Sequence, residues 1–461
     1  MVISIGAMLF HLYILFDRYF QYKTNTQVEL KFSRIQFPDV TVCNNNVLRK
    51  SKWRSGSKQV RFILQNVYDE CDQTDDSNST TDLNNVGDYT CITETEADLE
   101  AFEISAQSQD PADISGFASL LKYTFKDVFS AQSESLKKDL GHQEKPFLLS
   151  CKFAQRQCKL DQYVSVLSPN YGNCYTIHNP KFVSTTSGPP GGLELVLFLE
   201  NFEYLPYLTS GQGAVVVIHE PGTVPNIDGE GIFVSAGTQT LIGLKQVVFN
   251  RLGPPYSVCQ QDDSYRDTYN ITYRKNICQK LCLQEQIHQN CKCYDSASPQ
   301  ENSIMRVASR LHACRSAEEL ICKFKTTSEF SENEILCDCP NPCSETANSR
   351  SSAFLQWPSE DDIQELLHGY MSTVTDQDYY IKVYSIPFAN LTNYFIKLVI
   401  YYDDLNYEII TEVPEYELFQ LLSDVGGTIG LWIGLSLLSL FEVLQLLAEV
   451  VMFTVTHTFN L

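Results

Sequence analysis

The chain has 461 residues, with 56 acidic side chains against 34 basic ones, a formal charge of -22 and 43% hydrophobic residues. That balance argues against nucleic acid and against anionic ligands such as nucleotides, and suits cations and basic peptides near the surface. The length is several domains' worth, and all 16 cysteines fall between Cys43 and Cys343, outside both hydrophobic ends, which indicates an oxidising compartment.

The chain opens with MVISIGAMLFHLYILFDRYF, which has neither a basic leader region nor a small-residue cleavage site. A core helix would look similar; we read Met1 to about Phe16 as a first membrane span, with Asp17 and Arg18 near its outer end. It barely reaches across, so the chain is expected to begin inside this helix or just before it. Phe37-Pro38-Asp39-Val40-Thr41-Val42-Cys43-Asn44 is an alternating β-prone run. Lys58–Tyr68 and Ile114–Phe129 carry helical periodicity, and Cys71 and Cys91 bracket most of an acidic polar stretch as one local disulfide loop. Cys151 and Cys158 suit a small closed loop, and Gly172-Asn173-Cys174-Tyr175-Thr176 follows. Between Gly192 and Leu244 the pattern turns strand-like, as in Leu193–Leu199 and Ala214–His219. His219-Glu220-Pro221 has no second His at ligand spacing, so no metal is expected. Sequons at Asn78, Asn270 and Asn390 spread over the middle, none in a hydrophobic end, and place it outside the cell.

Ten cysteines stand at 259, 278, 282, 291, 293, 314, 322, 337, 339 and 343. Zinc is the competing reading, but Cys-x-Cys is tighter than zinc spacing and extracellular thiols oxidise. Cys278 and Cys282 share a helical face and can bridge to one opposing strand, yet ten cysteines leave roughly a thousand pairings. Ala353-Phe354-Leu355-Gln356-Trp357-Pro358-Ser359 comes next. Tyr379–Ser385 and Phe395–Tyr402 then read as strands, and Tyr407–Val413 leads into the last helix. No nucleophile elbow, phosphate loop or HExxH is present, so no enzyme and no cofactor is expected.

Leu418 to Val455 holds three charges, Asp424, Glu442 and Glu449, among apolar or small residues, and reads as a second span. Charge at membrane depth faces a water-filled cavity or a partner. The spacing puts all three acids on one face of an unbroken helix. Gly434-Leu435-Ser436 falls mid-segment; a break there would expose carbonyls to a cavity and restrict the shared face to each half. A single helix cannot enclose a pore, so several copies must surround it.

Leu421-Leu422-Ser423-Asp424-Val425-Gly426-Gly427, then Gly430-Leu431, Gly434-Leu435-Ser436 and Glu442, resemble the second transmembrane helix of the epithelial sodium channel/degenerin family. The runs at Phe37–Asn44, Gly172–Thr176, Cys337-Asp338-Cys339-Pro340-Asn341-Pro342-Cys343 and Trp357–Ser359 resemble that family too, so the likeness covers nearly all of the chain. It implies an α+β membrane protein in which two transmembrane helices flank a large disulfide-rich extracellular domain of palm β-sheet, β-ball, finger and thumb helices, assembled as a trimeric channel. The implied divisions are a first span at 1–20, wrist and first palm strand at 21–58, finger at 59–165, palm and β-ball at 166–253, thumb at 254–350, knuckle and palm at 351–413, pore helix at 414–456 and cytoplasmic tail from 457.

The resemblance assigns the sodium-preferring constriction to Gly434, Leu435 and Ser436, the acids below it to Glu442 and Glu449, and the gate to Ser423 and Asp424. Leu435 stands where most relatives have Ala or another small residue, and Gln445 where acid-sensing members have Asp. It also implies the pairs Cys43–Cys174 and Cys151–Cys158 and a nested ladder of Cys259–Cys343, Cys278–Cys339, Cys282–Cys337, Cys291–Cys322 and Cys293–Cys314. Tyr22 above the first span should meet Tyr256 in the Pro254-Pro255-Tyr256 turn, and the late strands should pair with the Val40 strand in one palm sheet. The family's His-Gly motif ahead of the first span has no counterpart here, consistent with a truncated N-terminus.

The reading is a plasma-membrane sodium channel with both termini cytoplasmic, gated from outside and sensitive to amiloride-type blockers. Gly430-Leu431-Trp432 resembles the FMRFamide-gated subgroup, the acidic ectodomain suits a cationic peptide, and Tyr22–Val28 lacks the His pair of acid-sensing members. Acid gating within the family, a non-conducting two-span receptor and an ATP-gated channel are the alternatives; the last lacks a basic nucleotide pocket. No residue is assigned to agonist binding.

Overall fold

The computed structural model describes residues 2–68, 122, 125–158, 163–205, 208–209, 211–261, 272–296, 312–314, 316–332, 337–371, 377–434 and 437–459. Helix Val2–Phe20 leads into strand Thr24–Phe32, which pairs antiparallel with Asn406–Pro414, and that strand in turn feeds helix Leu418–Ile433. The two helices therefore hang from adjacent strands of one sheet. Thr238–Asn250 runs parallel to Phe395–Tyr402 over its first half and to Asn406–Pro414 over its second, with Ser344–Gln356 antiparallel on its other side. Leu193–Phe198, Leu148–Phe153 and Arg156–Gln157 complete this eight-stranded sheet.

A second sheet orders Ile232–Ser235, Gly213–His219, Asp39–Asn44, Gly172–Ile177 and Tyr163–Ser168. Leu195, Leu197, Ile396, Leu398 and Ile400 of the large sheet share one core with Val40, Val42, Val216 and Ile218 of the small one. Here the structure corrects an expectation. The Val40 strand is not in the palm plate: Asp39–Asn44 is buried at every position and sits in the middle of its own sheet. Thr24–Phe32, exposed throughout, takes the expected place beside Asn406–Pro414.

A second correction concerns Tyr379–Ser385. Its β-branched and aromatic residues suggest a strand, but Gln377–Tyr384 is a helix. Val383 packs into a cluster with Phe198 and Phe395 while Ile381 and Tyr384 face outward. Lys58–Tyr68 is helical as expected, and 125–130 realises the end of the predicted Ile114–Phe129; residues 114–121 lie outside the described ones.

Helices Lys275–Cys291 and Ala317–Ser331 pack together. The second opens on a capping box between Ser316 and Glu319, which satisfies two backbone donors at once. All seven disulfides implied by the resemblance are present, five of them bracing this helix pair and its return strand. Cys71 and Cys91 lie outside the described residues.

Candidate ion pathway and its coupling

Helix Leu418–Ile433 ends because Gly434 adopts the left-handed conformation, φ 76°, with its N–H donating to the Gly430 carbonyl. Glycine takes that conformation without the steric cost a Cβ would add. A second helix, Leu437–Phe459, follows. The last apolar segment is therefore two helices of 16 and 23 residues, about 24 and 35 Å long at 1.5 Å per residue. Leu435 and Ser436 lie between them, outside the described residues.

The break limits the shared acidic face to its lower half. Glu442 and Glu449, one heptad apart, remain on one face of Leu437–Phe459, both exposed, and Gln445 donates to Glu449 at 3.1 Å. Asp424 belongs to the upper helix and no longer follows from their phase. Its carboxylate accepts a hydrogen bond from the Tyr416 hydroxyl at 2.5 Å, while Ser423 beside it is exposed. Arg18 at the end of the first helix lies 5.1 Å from the centre of the Tyr416 ring and pairs with Glu415 at 2.9 Å. Tyr416 and Glu415 were missed from sequence: they lie just ahead of the apolar run, and nothing local marks them.

The sheet connects the start of helix Leu418–Ile433 to the braced helix pair. The Tyr22 and Tyr256 rings meet edge-on at 5.4 Å and 86°, as expected. Glu412, one turn ahead of the helix, accepts from the Leu252 backbone N–H at 3.0 Å and from the Ser257 hydroxyl at 3.3 Å. The turn at the foot of the helix pair is thus hooked both to the chain leaving the first helix and to the strand entering the second. Glu412 was also unread in the sequence, as one acid among 56.

His219 is structural. It is buried at the end of its strand, hydrogen-bonded with Thr41 at 2.9 Å and Thr223 at 3.1 Å, and burial pulls its imidazole down to about 4 against the opposing pull of Asp39. No group of three or more acidic, His or Cys side chains suited to a metal occurs among the described residues. Of the sequons, Asn390 is exposed, and Asn78 and Asn270 lie outside the described residues.

Among the described residues one helix, Ile3–Phe20, is long and apolar enough to cross a membrane by itself; Leu418–Ile433 is apolar but shorter. The family model described as "Amiloride-sensitive sodium channel" matches residues 1–446. The chain belongs to the epithelial sodium channel/degenerin family. It is 26% identical to the epithelial sodium channel subunit beta of Mus musculus, over 96% of this chain and 76% of that protein. Against the gamma subunit of Bos taurus it is 30% identical over 70% of this chain and 49% of that protein. A cryo-EM structure of a proton-activated chloride channel aligns with 97% of this chain and 95% of its own at a TM-score of 0.33 and 6% identity, too weak a likeness to assign anything. Membership of the epithelial sodium channel/degenerin family makes the chain an ion-channel protein and not an enzyme. Members are plasma-membrane channels with a large extracellular domain, conduct sodium and assemble from related subunits.

Proposed function

We propose that this chain is the pore-forming subunit of a trimeric, sodium-preferring cation channel that an extracellular agonist of the FMRFamide type opens. The observation that carries the pore assignment is the interruption of the last apolar helix at Gly434, with exposed Glu442 and Glu449 on one face below it. Ending a helix releases its last carbonyls and the next helix's first N–H groups from the ladder, and at membrane depth such backbone is tolerated only where it lines a cavity. Gly434, Leu435 and Ser436 then form the constriction, Glu442 and Glu449 attract cations beneath it, and Ser423 and Asp424 frame the gate.

Gating runs from the ectodomain through the foot of the braced helix pair. Tyr22, Tyr256 and Glu412 pass its displacement to both helices, and the disulfides keep the lever from absorbing it. The acidic ectodomain supports a cationic peptide as the agonist. Currents from cells expressing the chain, with FMRFamide, acid and ATP applied in turn and external sodium replaced, test the reading. FMRFamide should open a sodium current that amiloride blocks, and a thiol reagent should reduce it in Ser436→Cys and Gly434→Cys channels. A current indifferent to modification at both positions removes the pore assignment; a current evoked by acid alone moves the chain to the acid-sensing subgroup.

A further inference from the structure

A buried lysine joins two parts of the ectodomain that the sequence separates widely. Lys323 lies on helix Ala317–Ser331, with only 4% of its side chain exposed. Its ammonium donates to Asp127 at 2.5 Å and to Asp295 at 3.2 Å. Asp295 is the lysine's own neighbour within the braced unit, two residues past Cys293 of the Cys293–Cys314 bridge, and its backbone N–H donates to buried Gln284 at 3.3 Å. Asp127 comes from elsewhere. It is on the helical turn at 125–130, whose other face sends stacked Phe125 and Phe129 into a separate core with Val47, Leu48, Trp53, Val60 and Leu205.

Burying an ion pair is a poor way to gain stability, because desolvation consumes most of the attraction and an apolar pair of similar size does as well. What it does fix is geometry. An apolar contact can slide by a fraction of a side chain, whereas a buried ammonium moved away from its carboxylate leaves an uncompensated charge. On the lysine's side the anchorage is covalent as well, since Cys322, the preceding residue, is bridged to Cys291. On the aspartate's side it is a packed aromatic core.

We infer that Lys323 is a positioning residue: its ion pair with Asp127 pins the 125–130 helix to the disulfide-braced helix pair, so that the two move as one body during gating. The pinning rests on geometry alone; its effect on gating rests on the channel reading above. Asp295 supplies the second carboxylate, at 3.2 Å, that keeps the lysine side chain aimed when the other element is strained.

The test uses the full-length protein with Lys323→Met, Asp127→Asn and the exchange Lys323→Asp with Asp127→Lys, which keeps the site's count of one ammonium and two carboxylates. In purified protein, amide hydrogen exchange over 125–130 should rise about tenfold in each single variant, while Ala317–Ser331 stays protected by its bridges. In cells, the half-activating FMRFamide concentration should rise about tenfold in the single variants at normal surface expression, and the exchange should return it to within about threefold of the wild type. If a single variant fails to reach the surface, recovery of expression by the exchange supports the pair, and failure of both overturns it. Unchanged exchange over 125–130 in both single variants, or a double variant no better than the singles, also overturns it. Should FMRFamide open neither wild type nor variants, the gating reading above falls, and the hydrogen-exchange result alone decides whether the pinning exists.

Discussion

His219 shows what one buried side chain imposes on the ectodomain. An imidazole in water titrates near 6.5, and this one is held to about 4 by the burial that makes it a good spacer between Thr41 and Thr223. Above pH 6.5 it is neutral in folded and unfolded chains alike and contributes no pH dependence. Between 6.5 and 4 the unfolded chain takes a proton that the folded one refuses, so stability falls with pH by up to about 3 kcal/mol. Melting of the purified protein over that range should steepen in the wild type and flatten in His219→Gln; parallel curves would assign the loss to other groups. Gly172 sets a second constraint at the same scale. At φ 66°, a Cβ there would come within 2.0 Å of the Val47 carbonyl oxygen. Gly172→Ala therefore combines backbone strain with a clash against main chain, and should cost about 3 kcal/mol or more in a denaturant series, near the upper end for single substitutions.

At the scale of elements, the sequence is legible where pattern and covalent constraint agree. Phe395–Tyr402 and Lys58–Tyr68 have the bounds their periodicity predicts, and the cysteine ladder pairs as the family resemblance implies. Ser344–Gln356 could not be read, because SETANSRSSAFLQ has no apolar alternation: its pairing with Thr238–Asn250 supplies the strand that its side chains do not announce. Thr24–Phe32 differs: Val28, Leu30 and Phe32 alternate as in a strand, yet all nine positions are exposed, so the pattern faces no core within the chain. The coupling site divides the same way. Tyr256 sits in a recognisable turn, whereas Glu412 and Tyr416 acquire roles only when distant chain closes on them. Tyr256→Ala removes an edge-on aromatic contact of about 1 kcal/mol, and should raise the half-activating agonist concentration about fivefold. Glu412→Ala, which leaves a backbone donor and a hydroxyl without their acceptor, should cost at least as much. A double variant whose shift is less than the sum of the two would mark them as one joint.

The whole molecule carries an argument that no single chain can complete. Leu9, Phe10, Phe419, Leu431, Leu438, Leu446 and Phe453 are all exposed on the apolar helices, a surface suited to lipid or to further helices. Gly426 and Gly427 face open space, with nothing within 4 Å of where a Cβ would stand. Small residues on membrane helices allow close approach of a second helix, but the first helix of the same chain does not use that room. In the trimeric channel proposed above, that room would be taken by another copy, whose helix would complete the wall of the conduit. Gly427→Trp fills the space without touching the ectodomain core or any described disulfide. In detergent the wild type should run as three copies, while Gly427→Trp should shift towards smaller assemblies and lose sodium current, with the ectodomain's melting unchanged. A wild-type protein that is monomeric and still conducts, or a Gly427→Trp channel that assembles and conducts normally, would place the ion path somewhere other than between copies of this helix.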